Sequence, residues 1–302
     1  MTLSVLMPVY AKESPDSLSQ CLKSLARQTL PADEVVIVED GPLGQALKAT
    51  IAAFQSTLPI VSVPLPFHVG LGAALRAGLY ACRGQYVARM DSDDICVPQR
   101  FQRQLNFLAS NRDVDVVGCA IAEFEQDCAL PHSMRLLPAA GPALRRFARS
   151  RTPMNHMTVV FRKASVVAAG NYESCDGFED YHLWARMLAL GYRLHNMDEI
   201  LVYVRCGNGM QGRRGGLAYL KKEAHFQAYL CNMGLQNPAG AWWSILLRGP
   251  IRLVPCSVRA LCYSLLLRQN MPEATGAAQR PTAMPVSLPS LPAPGGRRGA
   301  II

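Results

Sequence analysis

Three carboxylates follow a short apolar stretch in the first third of the chain. Residues 86–94 run Tyr-Val-Ala-Arg-Met-Asp-Ser-Asp-Asp, so Asp91, Asp93 and Asp94 come directly after a predicted strand. Like charges this close raise one another's pKa and repel, unless a bound cation or full solvation compensates them. Oxygen ligands favour a hard cation such as Mg²⁺ or Mn²⁺, whose other coordination positions phosphate oxygens could fill. The alternative is a solvated acidic turn that caps the helix beginning near Pro98.

The elements around these aspartates decide where they lie. Apolar strands alternate with amphipathic helices up to Ile121, which implies parallel strand pairing with right-handed crossovers. The predicted fold class is therefore α/β, with a doubly wound, mostly parallel sheet flanked by helices. Ligands bind such sheets at the carboxyl ends of the strands, where the three aspartates are expected. The predicted strands are 3–9, 34–38, 60–63, 86–90, 114–121 and 158–161.

Helices are predicted from caps and from apolar residues spaced three and four apart. Ser14 and Pro15 open the first one, with a capping hydroxyl and a proline in the first turn. Between residues 123 and 153 the pattern weakens, and we expect a variable region with one short helix. Residues 192–196 and 200–205 predict a hairpin or two short strands. The other helices are expected at 43–54, 71–82, 98–110, 162–169, 179–188 and 216–233.

The net charge of +9 suits an anionic partner, such as nucleic acid, an acidic membrane surface or a phosphorylated substrate. The arginines are dispersed and no aromatic and basic platform is visible, which argues against nucleic acid. Ten cysteines are scattered without a Cys-x-x-Cys pair, so we expect reduced, buried thiols in a cytoplasmic protein rather than zinc ligands or disulfides. The N-terminus lacks a basic stretch followed by an apolar run, and secretion is not expected.

Composition divides the chain into three parts. Residues 1–235 are expected to form one domain that contains all the acidic sites. Residues 236–269 are expected to form an apolar and basic helical extension of that domain. Residues 270–302 are rich in proline and show no periodicity, so we expect a disordered tail.

The helical extension has the composition of a membrane-surface element. Its apolar stretches are shorter than the roughly 20 residues that cross a membrane, and Pro250 and Pro255 argue against a single straight helix. We hypothesise that residues 242–268 rest on an anionic membrane face, and the alternative is packing on the protein core. The basic residues that share one side of this extension are Arg248, Arg252 and Arg259.

A second acidic pair, Glu179 and Asp180, stands at the start of a predicted helix. Carboxylates in a first turn favour the helix dipole, and that role alone could account for both. Successive helical residues point about 100° apart, so the two carboxylates cannot address one hydroxyl together. A glycine-rich loop with Arg213 and Arg214 comes later. Acidic groups at strand ends, a second acidic pair and late arginines suit chemistry with a phosphate leaving group.

Five segments carry a family resemblance. They are Val-Leu-Met-Pro-Val-Tyr at 5–10, Val-Ile-Val-Glu-Asp-Gly at 36–41, Met-Asp-Ser-Asp-Asp at 90–94, Gly-Phe-Glu-Asp-Tyr at 177–181 and the loop at 204–216. In this order and at this spacing the chain resembles the family 2 glycosyltransferases, whose architecture is called GT-A. The closest resemblance is to the bacterial enzymes that build exopolysaccharide or O-antigen. Glu39 and His68 replace an aspartate and an asparagine usual in that family, which bears on the donor sugar.

The resemblance implies a site for a metal and a nucleotide sugar. Asp91, Asp93 and Asp94 would hold Mn²⁺ or Mg²⁺, which neutralises the charge of the diphosphate leaving group. A UDP-sugar is the expected donor, with Asp40 accepting from a ring N–H of the base. The residues implied in nucleotide binding are Pro8, Val9, Tyr10, Asp40, Asp91 and Ser92.

The resemblance also implies a catalytic pair. Asp180 is expected to be the general base that takes the proton of the acceptor hydroxyl, and Glu179 to position the acceptor or cap the helix. One direct displacement inverts the anomeric centre. The expected acceptor is a saccharide on undecaprenyl diphosphate at the cytoplasmic face of the inner membrane, in the biosynthesis of a surface polysaccharide.

The alternatives to a glycosyltransferase are a sugar nucleotidyltransferase and a module that binds nucleotide sugars without catalysis. A sugar nucleotidyltransferase shares the sheet plan but needs a glycine-rich, basic loop after its first strand to hold a triphosphate. This chain has Tyr-Ala-Lys-Glu-Ser at 10–14 instead. A module that binds nucleotide sugars without catalysis would have lost an acidic site, and both acidic sites are present here.

Overall fold

The computed structural model describes residues 1–175, 177–206, 216–253 and 269–270. Several predicted features lie outside the described residues. They are the loop with Arg213 and Arg214, the basic residue Arg259, and the expected tail beyond residue 270.

The first half of the chain alternates strands and helices. In order these are β1 (Leu3–Tyr10), α1 (Pro15–Ala26), β2 (Glu34–Asp40), α2 (Gln45–Ala53), β3 (Ile60–Pro64), α3 (Leu71–Ala81) and β4 (Tyr86–Arg89). Every ladder among these four strands is parallel, in the order β3-β2-β1-β4. The Ser14 hydroxyl caps α1 by accepting from the Ser17 backbone N–H at 3.4 Å. The predicted alternation is confirmed in this half.

The second half is less regular. Its elements are β5 (Ile95–Cys96), α4 (Arg100–Ser110), β6 (Val116–Phe124), β7 (Ser133–Arg135), α5 (Gly141–Phe147), a 3₁₀ turn (His156–Thr158), β8 (Val160–Arg162), α6 (Lys163–Ala168), α7 (Glu179–Ala189), β9 (Leu194–Arg205), α8 (Leu217–Asn232), α9 (Pro238–Leu253) and β10 (Gln269–Asn270). The short helix expected in the variable region is α5. The sequence did not predict β5, β7 or β10, because strands of two or three residues have no periodicity.

One sheet runs through both halves. Its order is β10-β7-β6-β8-β4-β1-β2-β3, and β9 pairs with β6 and β5. Because β8 is antiparallel to both β4 and β6, these two strands run in the same direction, and β9 is parallel to β6. The carboxyl ends of β1, β2, β4, β6 and β9 therefore point to one edge of the sheet, which is the ligand edge of α/β folds.

Helices cover both faces of this sheet. Val5 and Met7 of β1 pack with α1, α2 and α4 on one face, whereas Leu6 packs with α3 and α7 on the other. Neighbouring residues of a strand point to opposite faces, so a strand buried on both faces is apolar at nearly every position. This explains the apolar run, broken by Ser4, that predicted β1, and the doubly wound arrangement is confirmed.

The segment predicted as a hairpin is a single strand. β9 runs from Leu194 to Arg205 along the whole of β6, and its register shifts on both sides of Ile200. The shift lets Asp198 and Glu199 bulge out of the ladder without ending it. The sequence predicted a hairpin or two short strands at 192–196 and 200–205. That prediction was wrong because β6 offers backbone partners on both sides of the bulge.

The C-terminal extension begins as α9, which packs against α8. Arg248 of α9 forms an ion pair with the buried Glu223 of α8, at 3.0 Å between Nη1 and Oε1. Arg248 therefore faces α8, although the sequence suggested a basic stripe open to a membrane. Pro250 lies within α9, which continues to Leu253. The division of the chain at residue 235 stays a prediction.

Gly78 lets α3 approach the sheet closely, and we expect Gly78→Ala to destabilise the protein. A Cβ there would overlap Leu6 Cδ1 and Val38 Cγ2, both in fully buried side chains. Overpacking costs about 1–3 kcal/mol, of which the helix propensity of alanine returns about 1 kcal/mol. The free energy of unfolding, measured by urea denaturation, should fall by up to about 2 kcal/mol.

Gly249→Ala is the matched control. Gly249 is also a buried helical glycine, but among the described residues its Cβ would meet Leu220 Cδ1 alone, at an ordinary 3.7 Å. A Cβ before Pro250 is disfavoured in a helix, and this offsets the better helix propensity of alanine, so the variant should stay close to the parent protein in stability. Equal losses of stability in the two variants would contradict the packing role of Gly78.

Candidate active site

The three aspartates predicted as metal ligands lie together. Asp91, Asp93 and Asp94 follow β4 at the ligand edge of the sheet. One carboxylate oxygen from each lies within 4.8 Å of the other two. Oxygen ligands at this spacing suit a hard divalent cation.

Asp94 is the most buried of the three, with 1% of its surface exposed. Its Oδ1 accepts from the Arg205 backbone N–H at 3.0 Å. Its buried Oδ2 has no hydrogen-bond partner in the part of the chain that the structure describes. Burial, and then the charges of Asp91 and Asp93, raise the pKa of Asp94 well above its usual range. An unsatisfied buried oxygen beside two carboxylates fits a bound cation.

Asp93 is also in an unfavourable electrostatic environment. Burial, and then the charges of Asp91 and Glu13, raise the pKa of Asp93 from 3.8 to about 6. Glu13 lies in the loop after β1, and its Oε2 accepts from the Ser92 hydroxyl at 2.5 Å. A fourth carboxylate therefore lies near the three aspartates. The sequence did not reveal Glu13, because only the folded sheet brings the loops after β1 and β4 together.

Arg89 supplies a buried positive charge beside this acidic group. Its Nη2 lies 2.5 Å from Asp91 Oδ1, and its side chain is 2% exposed. Its Nε and Nη1 have no hydrogen-bond partner among the described residues. A buried guanidinium is costly when its charge is not compensated, so the ion pair with Asp91 offsets part of that cost. Arg89 was not predicted at the site, because it lies within the apolar segment that predicted β4.

Arg205, the last residue of β9, forms hydrogen bonds that link Asp93 and Asp94 to neighbouring elements. Besides the bond from its backbone to Asp94, its Nε donates to the Asp93 carbonyl at 3.3 Å and its Nη2 to Gln20 Oε1 at 2.8 Å. Its guanidinium also lies over the Phe124 ring, 4.6 Å from the ring centroid. These contacts connect the motif to α1, β6 and β9.

The residues expected to hold a nucleotide lie on neighbouring parallel strands. Pro8, Val9 and Tyr10 of β1 pair with residues 38–40 of β2, so Tyr10 lies beside Asp40. Tyr10 is 38% exposed, whereas Asp40 is 5% exposed. An exposed aromatic ring at the ligand edge is suited to stacking on a base.

The Asp40 carboxylate is engaged within the protein. Its Oδ1 accepts from the Val69 backbone N–H at 2.7 Å, and its Oδ2 lies 2.8 Å from His68 Nδ1. The exposed His68 ring lies 6.3 Å from the Tyr10 ring, centroid to centroid. Asp40 thus anchors the loop that presents His68, a role that the sequence did not reveal. A hydrogen bond from a base to Asp40 stays a prediction.

Glu179 and Asp180 begin α7 and bind different partners. Asp180 Oδ2 accepts from the Thr152 hydroxyl at 3.1 Å. Glu179 Oε1 accepts from the Gly177 backbone N–H at 3.0 Å, in the turn before the helix. The Glu179 contact lies in the turn before the helix and does not reach the N–H groups of its first turn. The catalytic roles expected for the two residues stay predictions.

His156 and Tyr172 form a buried polar pair that is affected by charges of both acidic sites. His156 Nε2 and the Tyr172 hydroxyl lie 3.1 Å apart. Burial, and then the charge of Arg89, lower the pKa of His156 well below its usual range, so the ring is neutral at pH 7. Burial raises the pKa of Tyr172, with a smaller contribution from the negative charge of Asp180. The pair is therefore within electrostatic reach of both Arg89 and Asp180.

Comparison with known proteins decides the family. The family model described as Glycosyl transferase family 2 matches residues 4–170, which include the three aspartates. The chain belongs to this family. As a family 2 glycosyltransferase, it has bacterial relatives that align with most of its length.

Two of these relatives are named enzymes. The amylovoran biosynthesis glycosyltransferase AmsE of Erwinia amylovora is 41% identical over 262 residues, which are 86% of this chain and 97% of AmsE. The UDP-Gal:alpha-D-GlcNAc-diphosphoundecaprenol beta-1,3-galactosyltransferase of Escherichia coli is 34% identical over 266 residues, which are 88% of this chain and 96% of that enzyme. This family 2 protein is therefore a glycosyltransferase, as the sequence motifs predicted.

A solved structure bears on the fold. The mannosyltransferase PcManGT from Pyrobaculum calidifontis, in complex with GDP-Man and Mn²⁺, aligns with a TM-score of 0.58 and 16% identity, over 87% of this chain and 79% of that chain. The predicted GT-A fold of the family 2 glycosyltransferase is confirmed. At this identity the likeness shows the fold alone.

We expect Asp93→Asn to stabilise the metal-free protein and to abolish its response to Mn²⁺. An acid whose pKa rises on folding from 3.8 to about 6 opposes folding above pH 6, and this cost disappears as the pH falls toward 3.8. Asparagine removes the charge, so the melting temperature at pH 7.5 should rise by about 2–6 °C. Differential scanning fluorimetry with and without Mn²⁺ measures both effects.

Asp198→Asn is the control for this experiment. Asp198 is an exposed acid in the β9 bulge, so its replacement should leave the melting temperature and the Mn²⁺ response unchanged. A metal-free Asp93→Asn protein that melts lower than its parent would contradict the electrostatic argument. An undiminished Mn²⁺ response in that variant would contradict the metal assignment.

Proposed function

We propose that this glycosyltransferase moves a sugar from a UDP-sugar to a lipid-linked saccharide, with inversion and with a divalent cation, in surface polysaccharide biosynthesis. The observation that carries the proposal is the cluster of three carboxylates at the ligand edge, from Asp91, Asp93 and Asp94. The relatives support the substrate class. The Escherichia coli enzyme is named for a UDP-Gal donor and a diphosphoundecaprenol acceptor, and AmsE is named for amylovoran biosynthesis.

Asp91, Asp93 and Asp94 would hold Mn²⁺ or Mg²⁺. A divalent cation bound there supplies Lewis acidity that neutralises the departing diphosphate. The chain itself holds the carboxylates close together against their mutual repulsion, through Arg89 beside Asp91 and Arg205 beside Asp94. The all-oxygen ligand set supports this choice of metal, and PcManGT was solved with Mn²⁺.

The base of the donor would lie against Tyr10, over Pro8 and Val9. Exposed rings of Tyr10 and His68 at the ligand edge support this placement. Asp40 would orient His68 and accept from the base. Ser92, whose hydroxyl bonds to Glu13, would lie with Asp91 beside the ribose and diphosphate.

Asp180 would take the proton of the acceptor hydroxyl. Its Oδ2 accepts from Thr152, and Oδ1 would then receive the proton. A carboxylate on the side opposite the leaving group allows one direct displacement, which inverts the anomeric centre. Glu179, bonded to the Gly177 backbone, would fix the start of α7 so that Asp180 keeps its direction.

The alternatives have less support. A nucleotidyltransferase holds its triphosphate with a basic, glycine-rich loop after the first strand, whereas the loop after β1 brings Glu13 next to the acidic motif. A binding module without catalysis has no need of two separate acidic sites. Transfer of a sugar accounts for both sites.

A donor and acceptor screen tests the function. Purified protein is incubated with Mn²⁺, with UDP-, GDP- and dTDP-sugars in turn, and with a saccharide diphosphate on a short lipid chain. We expect UDP release that depends on the acceptor, and a product whose anomeric configuration, measured by NMR, is opposite to that of the donor. A product of retained configuration would contradict the single displacement, and no product from any donor would contradict the function.

Asp180→Asn should lower turnover by about 10²- to 10⁴-fold, which is the usual contribution of a general base. Donor binding, measured by the thermal shift that the UDP-sugar causes, should hardly change, because the base acts on the acceptor. Glu179→Gln is the matched variant, since it also removes one charge and keeps the shape. An inactive Glu179→Gln protein beside an active Asp180→Asn protein would reverse the two roles, and two active variants would leave the pair as a helix cap.

The outer face of α9 supports contact with a membrane. Trp242, Trp243, Leu246 and Leu247 are 68%, 59%, 48% and 57% exposed, and their spacing places them on one side of the helix. Exposed apolar patches mark interaction sites, and tryptophan favours the boundary between lipid and water. Among the described helices, none has both the length and the hydropathy needed to cross a bilayer. We propose that α9 rests on the cytoplasmic face of the inner membrane, near the lipid-linked acceptor.

Replacing Trp242 and Trp243 together by serine should reduce binding to anionic liposomes by about tenfold or more, since each buried aromatic contributes roughly 1.5–3 kcal/mol. Liposome flotation measures the bound fraction. The control replaces two exposed apolar residues elsewhere, Tyr80 (60% exposed) and Leu190 (63% exposed), by serine. Absence of binding by the parent protein, or equal binding by both double variants, would contradict membrane contact through α9.

A further inference from the structure

Three potential metal ligands converge at a second place on the ligand edge. Glu123 lies near the end of β6, His132 directly before β7 and Cys206 directly after β9. One ligand atom from each lies within 4.8 Å of the other two. Zinc ligands were not expected from the sequence, because the cysteines form no Cys-x-x-Cys pair. Residues 123, 132 and 206 meet only through the pairing of three strands.

The backbone holds these residues in register. His132 donates its backbone N–H to the Glu123 carbonyl at 2.9 Å, and Cys206 donates its own to the Phe124 carbonyl at 2.7 Å. Glu123 and Phe124 also pair with Ser133 and Arg205 in the ladders of β7 and β9. The three ligand residues are therefore fixed at the backbone, and only side-chain rotation is needed to adjust the distances between their ligand atoms.

We propose that Glu123, His132 and Cys206 bind a zinc-type transition metal ion. A carboxylate oxygen, an imidazole nitrogen and a thiolate sulfur together suit Zn²⁺ and not the hard cations Mg²⁺ and Mn²⁺. Bonds of about 2.0–2.3 Å place the ligand atoms of a tetrahedral site about 3.3–3.8 Å apart, so small rotations complete it. Three protein ligands leave the fourth position to water.

The surroundings of Glu123 resemble the outer shell of a metal site. Glu123 is 4% exposed, and its Oε2 accepts from the Ser133 hydroxyl at 2.6 Å. Such a hydrogen bond orients a ligating carboxylate, and outer partners of this kind contribute to metal affinity. His132 is exposed and Cys206 is partly exposed, which leaves a path for the ion and for the fourth ligand.

The proposed ion would act as a positioning element for the active site. Cys206 follows Arg205, whose backbone binds Asp94 and whose side chain binds the Asp93 carbonyl. An ion at Cys206 would tie the end of β9 to the turn between β6 and β7. The three aspartates offer only oxygen ligands, whereas Glu123, His132 and Cys206 offer oxygen, nitrogen and sulfur. The two sites would therefore select different metals.

The test measures metal affinity directly. The full chain is stripped with a chelator and titrated with Zn²⁺ against a chromophoric competitor, in the presence of excess Mg²⁺. We expect one tightly bound Zn²⁺ per chain, and affinities lower by more than roughly tenfold in His132→Ala and Cys206→Ser, since even outer-shell partners contribute about 10- to 100-fold. His225→Ala and Cys231→Ser, both on α8, are matched controls that should bind as the parent does.

A second measurement tests the parent protein itself. Co²⁺ bound to the parent protein should show a thiolate-to-cobalt charge-transfer absorption, which Cys206→Ser removes and Cys231→Ser retains. Absence of this absorption in the folded parent, or equal Zn²⁺ affinity in all four variants, would overturn the proposal. The Asp93→Asn variant should keep the zinc site, because it leaves all three zinc ligands in place, so this site and the proposed function are tested separately.

Discussion

Repulsion among the carboxylates at the end of β4 is the constraint on which the rest of the site depends. Asp94 is buried with one unpartnered oxygen among the described residues, and burial and neighbouring charges raise the pKa of Asp93 to about 6. A buried group of like charges is stable only where surrounding structure holds it or a cation compensates it. Arg89 and the backbone of Arg205 hold it here. The protein therefore keeps an unfavourable arrangement whose cost a bound metal would remove.

The sheet topology explains how one chain brings these groups together. β8 runs antiparallel between β4 and β6, so β6 and β9 end at the same edge as β1, β2 and β4. The loop after β1 thus supplies Glu13, and the last residue of β9 supplies Arg205, to a motif that begins after β4. An antiparallel strand in this position extends the ligand edge of the parallel half across the second half of the chain.

The sequence predicted whatever depends on local pattern. Apolar runs located β1, β2 and β4, and the closely spaced aspartates were visible because they lie within four residues. Glu13, Arg89 and the pair of His156 and Tyr172 were missed, since their roles depend on contacts between distant segments. The continuous β9 was missed for the same reason, because its charged bulge is stabilised by β6 and not by its own residues.

The ion pair between Arg248 and Glu223 decides how α9 can meet a membrane. Glu223 is 3% exposed, so turning Arg248 outward would break an ion pair to a buried carboxylate, which is costly. The helix is therefore held with Trp242 and Leu246 outward. Arg248 cannot face anionic lipid while it is paired with Glu223. Among the described side chains of α9, attraction to a membrane must then come mainly from apolar burial, and binding through these residues should persist at salt concentrations that screen charges.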